Sequence, residues 1–95
     1  MLHTMSKSPN KADFTTLCAI VNKNDAIILI QDGILCGLVN TYSLRNLRSI
    51  STFLYALKVD VYARGLSARL SSNIVLISYN QFVELSVKHK QQLYW

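Results

Sequence analysis

The chain has 95 residues, of which 51% are hydrophobic and 16% charged, and it carries a formal net charge of +5. That length leaves room for one core, so a single domain over residues 1–95 is expected, and the longest unbroken apolar run, Ala26 to Ile30, is far too short for a membrane-spanning helix of about 20 residues. A domain of this size buries only about 60% of the surface its unfolded chain exposes, so this much apolar material is expected to end in an interface with other subunits.

In chain order, Met1 to Met5 is a short candidate strand. Ser8 followed by Pro9 marks the approach to a helix, a side-chain oxygen for orphan amides and a preset backbone angle, while Asp13 offers a cap for a later start. Phe14, Leu17, Cys18 and Val21 follow the spacing of one helix face, and the helix is expected to end near Asn22 to Asn24. Ala26 to Ile30, Phe53 to Leu57 and Ile74 to Ile77 are continuous apolar runs without alternation, which is what a parallel sheet covered on both faces demands.

Asp32-Gly33 predicts a tight turn into a short helix over Ile34 to Val39, and Asn40 to Ser51 reads as a polar connector with a turn around Leu44 to Leu47. Asp60 is placed to cap a short helix running to Arg64 and stopped by Gly65, after which Leu66 to Asn73 reads as loop. Ser78 and Gln81 stand at capping-box spacing and open a last helix carrying Phe82, Val83, Leu85 and Val87, ending near His89. The tail Leu93-Tyr94-Trp95 either adds a short strand at the sheet edge or docks on a partner. The alternation of strand and helix predicts an α/β fold, a three-layer α/β/α structure around a mostly parallel sheet of four to five strands.

Few residues invite chemistry. The N-terminus lacks the charged start and long apolar stretch of a signal peptide, and Cys18 and Cys36 have neither metal-type nor CxxC spacing, so a reducing compartment and cytoplasmic location are expected. The glycines Gly33, Gly37 and Gly65 form no phosphate-cradling loop, and Asp13, Asp25, Asp32, Asp60 and Glu84 are isolated from one another, so neither a nucleotide cofactor, a metal nor paired-carboxylate hydrolysis is expected. The basic residues are scattered from Lys7 to Lys90, with Arg45/Arg48 and Lys88/Lys90 the nearest to clusters. That scatter favours a solvated surface or an acidic partner face over a nucleic-acid site, and no direct nucleic-acid binding is expected.

Cys18 is the sharpest enzymatic hypothesis, because a thiolate can carry a persulfide. Its place in the stripe with Phe14, Leu17 and Val21 favours a small buried hydrophobe instead, and Cys36, between Leu35 and Gly37, reads the same way. His3 is expected to be a packed or hydrogen-bonded strand histidine, and His89, in a Lys-His-Lys run, suits a helix end where positive charge complements the macrodipole. The carboxyl edge of the sheet would gather Ser6 to Ser8, Gln31 to Gly33, Lys58 to Asp60 and Ser78 to Asn80, a docking rim without a nucleophile.

Several segments carry a likeness to a known family: Leu2-His3-Thr4, Ser8-Pro9, Leu29-Ile30-Gln31-Asp32-Gly33, Tyr55-Ala56-Leu57, Ala63-Arg64-Gly65-Leu66, Ile77-Ser78-Tyr79, Phe82-Val83, Val87-Lys88-His89 and the closing Trp95. In order, spacing and total length they resemble the TusB/DsrH-like family of the DsrE/DsrF/DsrH superfamily, over nearly the whole chain. The resemblance implies a non-catalytic subunit of a heterohexamer with TusC and TusD, a dimer of trimers. That complex passes persulfide sulfur to a TusE-like acceptor and then to a thiouridylase, for 2-thiolation of the wobble uridine of tRNA. It implies further that the sulfur-carrying cysteine belongs to TusD, after its third strand, where Leu57 to Gly65 here contains none. Members of the DsrH branch from sulfur oxidisers carry a cysteine on the first helix, about where Cys18 stands, and this keeps a sulfurtransferase that loads Cys18 itself as the alternative.

Overall fold

The computed structural model describes residues 1–51 and 53–95. Five strands form one sheet: β1 (Leu2–Met5), β2 (Ala26–Leu29), β3 (Phe53–Leu57), β4 (Val75–Ile77) and β5 (Gln92–Tyr94). The order across the sheet is β4-β3-β2-β1-β5 and every pairing is parallel. The C-terminal tail therefore does add an edge strand, with Leu2 opposite Gln92 and Thr4 opposite Tyr94.

Side chains alternate between the two faces of a strand, and the register decides what each face holds. Met5, Ile27, Leu29, Leu54 and Ala56 point to one face. There they pack under α1 (Phe14–Ile20), a 3-10 helix over Gln31–Gly37, α2 (Tyr42–Ile50) and α3 (Lys58–Ala63), through Leu17, Ile34, Cys36, Leu44, Leu47 and Val61. The opposite face carries Leu2, Ala26, Ile28, Tyr55 and Ile77 and has one cover, α4 (Tyr79–Lys88), which reaches it through Phe82 and Leu85. The result is a three-layer α/β/α structure with one thick and one thin outer layer.

The thin layer corrects one expectation. All four residues of β1 and of β2 are buried, as strands covered on both sides should be, but Phe53 in β3 and Val75 in β4 stay 45% and 55% exposed. A single helix of ten residues is too narrow to roof five strands. Apolar continuity in β3 and β4 therefore reports a face left open.

Three helices differ from expectation for local reasons. The Ser8 carbonyl accepts from the Lys11 and Ala12 N–H groups in a tight turn, and the helix proper starts after Asp13, whose side chain accepts from the Thr16 N–H at 3.1 Å. The stretch read as connector holds α2: Thr41 caps it by accepting from the Leu44 N–H, and Leu44 and Leu47 bury as an i, i+3 pair. In α3 the first helical residue is Lys58, and Asp60 caps nothing in its own helix; its side chain reaches instead to the Gln31 N–H at 2.8 Å. Gly65 does adopt the left-handed conformation expected at the stop, with φ of 64°. Ser78 and Gln81 form the expected reciprocal capping box at the start of α4.

Candidate functional site

The carboxyl edge of the sheet gathers the residues that its strand ends predict. Gln31 leaves β2 with φ of 50°, a left-handed conformation that costs a non-glycine residue roughly 1 kcal/mol, and its N–H is held by the Asp60 carboxylate. Next to it Gly33 lies beneath β1, so close that a Cβ there would stand 2.0 Å from the Met5 carbonyl oxygen. Asp32 pairs with Arg64 at 3.0 Å, tying the segment after β2 to the end of α3. The pair is exposed and contributes less than about 1 kcal/mol. These contacts fix the rim's shape; its side chains are amides, carboxylates, hydroxyls and basic groups together with the exposed Val59, and no cysteine is among these residues.

The two thiols have opposite surroundings. Cys36 is fully buried in the thick layer, its Sγ lies 3.7 Å from the Lys7 carbonyl oxygen, and burial pushes its pKa up to about 11. It is the inert core residue that the sequence suggests. Cys18 is not: it is exposed, against the expectation of burial. The seven-residue α1 lies on its neighbours along a narrow line through Leu17, 1% exposed, with Phe14 and Val21 half-buried to either side. One residue further turns the side chain by about 100°, which carries Cys18 outward with Thr15, Ala19 and Ile20.

His3 is completely buried in β1 and hydrogen-bonded at both ring nitrogens. Trp95 Nε1–H donates to Nδ1 at 3.1 Å, so the proton of a neutral ring sits on Nε2 and points to Asp25 Oδ2, 2.9 Å away. Asp25, just before β2, also accepts from the Asn22 N–H and from the N-terminal ammonium, both at 3.0 Å. Burial works against the charged form here, but the hydrogen bonds from His3, Asn22 and the ammonium outweigh it and hold the carboxyl down at about 2. Sequence reading placed His3 correctly in a strand and missed its partners, since Asp25 and Trp95 lie 22 and 92 residues away. With His3 and Asp25 buried at its centre, this chain of hydrogen bonds fastens three segments together. His89 caps the C-terminal end of α4, where partial burial, the ammonium and Lys88 push its pKa down. Among the described residues no group of His, Cys, Asp and Glu is arranged to hold a metal ion.

The thin layer supplies a different kind of site. Between α4 and β3 runs a groove whose walls share Tyr55, Leu85 and Lys88, continued on one side by Ile77 and Gln81 and on the other by Ala26 and Phe53. Beside it on β4 Val75 is 55% exposed, while Val83 and Val87, 46% and 80% exposed, stand on the outward side of α4, and Tyr79 on the same helix and Tyr94 on edge strand β5 are 64% and 71% exposed. Exposed apolar side chains thus lie both on the uncovered strands and on the outer side of the single helix that covers them. No helix is long and apolar enough to cross a membrane among the described residues.

Comparison with known proteins agrees with this geometry. The family model described as DsrH like protein matches residues 7–92. A protein TusB of Pectobacterium parmentieri is 45% identical over 95 residues, covering all of both chains, and a protein TusB of Escherichia coli K12 is 40% identical over the same span. Among solved structures, the solution structure of protein Tm0979 from Thermotoga maritima aligns with a TM-score of 0.66 at 26% identity, covering 96% of this chain and 97% of that one. The crystal structure of the ychN protein from E. coli aligns with a TM-score of 0.76, covering 99% of this chain and 97% of the other; at 13% identity that likeness speaks for the fold alone. With the family model spanning most of the chain and full-length relatives at 40% and 45% identity, this chain belongs to the DsrH-like family, the family of the TusB proteins.

Proposed function

We propose that this chain is a non-catalytic subunit of a cytoplasmic sulfur relay, a single DsrH/TusB-like domain. It assembles with TusC and TusD into a heterohexamer that passes persulfide sulfur to a TusE-like acceptor for 2-thiolation of tRNA wobble uridine. The observation that carries this reading is the open thin layer: Phe53, Val75, Val83 and Val87 leave apolar area in water that a partner subunit would cover. Support also comes from the carboxyl rim, where Leu57 to Gly65 forms the end of β3 and α3 without a thiol, so that the chain shapes the edge and leaves sulfur transfer to another subunit. No cofactor enters this scheme.

The test is coexpression with TusC and TusD homologues followed by native mass measurement. A complex containing all three chains, together with aggregation of this chain expressed alone, is the expected result; a well-behaved lone monomer that ignores both partners rejects the reading.

The exposure of Cys18 favours a second reading, in which this thiol carries the persulfide itself. Cys18→Ser separates the two. Loss of tRNA thiolation with the complex intact supports sulfur handling by Cys18, and unchanged thiolation restricts the chain to assembly.

A further inference from the structure

The basic residues look dispersed along the chain, but the fold gathers two of them. Arg45 and Arg48, one turn apart on α2, line one groove of about 590 Å³ whose opposite wall is the Ser71 to Asn73 segment ahead of β4. The rest of the polar lining is uncharged: Asn40, Thr41 and Ser49 on the α2 side. Arg48 and Asn73 also line a second depression, so the groove continues toward Ser51 and Leu54 at the lower end of β3.

No carboxylate balances these two guanidinium groups. Asp13 caps α1, Asp25 is buried against His3, Asp32 pairs with Arg64, Asp60 holds the Gln31 N–H, and Glu84 lines the groove under α4 on the other face. Neither arginine makes an ion pair among the described residues. Two unpaired positive charges with hydroxyl and amide donors around them suit an oxyanion of high charge density. Cβ atoms at i, i+3 on a helix are about 5–6 Å apart, within reach of consecutive phosphates along an extended strand.

The exposed face of α2 adds an aromatic surface. Tyr42 is 81% exposed, and the Arg45 guanidinium lies over its ring, 5.4 Å from the centroid. Tyr42 lines the neighbouring depression with Pro9 and Phe14, joined to the basic groove through Thr41 and Arg45, and its exposed ring beside that cation is a platform for stacking an unpaired base. An acidic polypeptide would share the charge requirement, but protein docking draws its energy from apolar anchors in desolvated pockets, and the apolar lining of this open groove is confined to Val39 and Leu44.

We propose that the groove between α2 and the Ser71 to Asn73 segment binds the phosphodiester backbone of single-stranded RNA, with Arg45 and Arg48 on successive phosphates and Tyr42 beneath a base. The proposal stands apart from the assembly reading, which asks for no RNA contact by this chain and uses the opposite face of the sheet.

The experiment measures fluorescence anisotropy of a labelled single-stranded RNA decamer against the purified full chain, taken as complex or alone, whichever purification yields. Titrations run from about 25 to about 200 mM salt, over which the Debye length falls from about 20 Å to about 7 Å. Binding that weakens with salt is expected, and Arg45→Glu combined with Arg48→Glu is expected to reduce it roughly tenfold or more and to flatten the log–log salt slope by about 1.4, two phosphates at about 0.7 each. Tyr42→Ala should weaken binding while leaving that slope unchanged, since it removes stacking and no charge. Both arginines and Tyr42 are exposed, so the variants keep the fold, and circular dichroism verifies that. Absence of RNA binding at low salt, or an unchanged slope in the double variant, overturns the proposal. Displacement of the RNA by polyglutamate at equal charge overturns it in favour of an acidic protein partner, and saturable binding of inorganic phosphate without RNA binding overturns it in favour of a small phosphorylated ligand. Failure here leaves native mass of the complex unaltered, so the two readings fail separately.

Discussion

The indole N–H of Trp95 donates to Nδ1 of His3 across 3.1 Å, and through that ring the end of the chain is joined to Asp25 at the start of β2. The same tryptophan is held by its backbone: its N–H donates to the Thr4 carbonyl at 2.8 Å, and its own carbonyl accepts from the N–H and the hydroxyl of Ser6, each at 3.2 Å. Edge strand β5, three residues long, is thus fixed at its far end by a side chain packed against the thick layer.

Trp95→Phe is expected to keep the packing and leave Nδ1 of a buried imidazole without a donor, at a cost of about 1–3 kcal/mol. Trp95→Ala, which also removes the ring, is expected to cost more. Urea denaturation followed by circular dichroism checks both, and equal stability of wild type and Trp95→Phe would show that the hydrogen bond contributes nothing.

Acid should loosen the same network. The Asp25 carboxyl is held at about 2 against an ordinary value of 3.8, so the unfolded chain takes up its proton first as pH falls. The stabilisation is complete above about pH 4 and is lost as pH drops through the folded value, amounting to about 2 kcal/mol between pH 5 and pH 2. Asp25→Asn should be less stable than wild type at neutral pH and should show a flatter stability profile over that acidic window. Parallel profiles for the two proteins would count against the assignment.

Gly33→Ala is expected to destabilise by 3 kcal/mol or so, at the upper end of the range for overpacking, because the methyl group would meet backbone, the Met5 carbonyl, which no rotamer change can move aside. Gly65→Ala has open space around it and only the left-handed backbone to contend with, so a loss of about 1 kcal/mol is expected. Thermal unfolding of the pair tests the ranking.

The two thiols should separate chemically. Iodoacetamide at neutral pH is expected to add one label to the folded chain, at Cys18, and a second at Cys36 only after denaturation, since Cys36 is both enclosed and held with a pKa of about 11. Mass spectrometry of the intact and digested chain reads this directly. Labelling of Cys36 in the folded protein at a rate near that of Cys18 would contradict the buried environment.

Strand positions were legible because β2 and β3 are built from unbroken apolar runs, and the start of α4 because Ser78 and Gln81 satisfy each other's backbone within four residues. Both are local signals. The helix α2 escaped because its inward face consists of little beyond Leu44, Leu47 and Ile50 amid serine, asparagine and arginine, residues whose propensity says connector while tertiary burial decides otherwise. Cys18 was misplaced because a periodic stripe gives a helix's apolar side but not the width of its contact. The links between His3, Asp25 and Trp95, and the convergence of Arg45 and Arg48 on one groove, depend on how distant segments meet, and no spacing in one sequence encodes that.

The pairing of Leu2 with Gln92 has a consequence for biogenesis. Strand β1 lies inside the finished sheet, yet one of its margins has nothing to bond with until β5, whose Gln92 follows Leu2 by 90 residues, has left the ribosome. Until then that margin is a template for any passing extended segment, and closing a loop of this length is the slow step that ends the exposure.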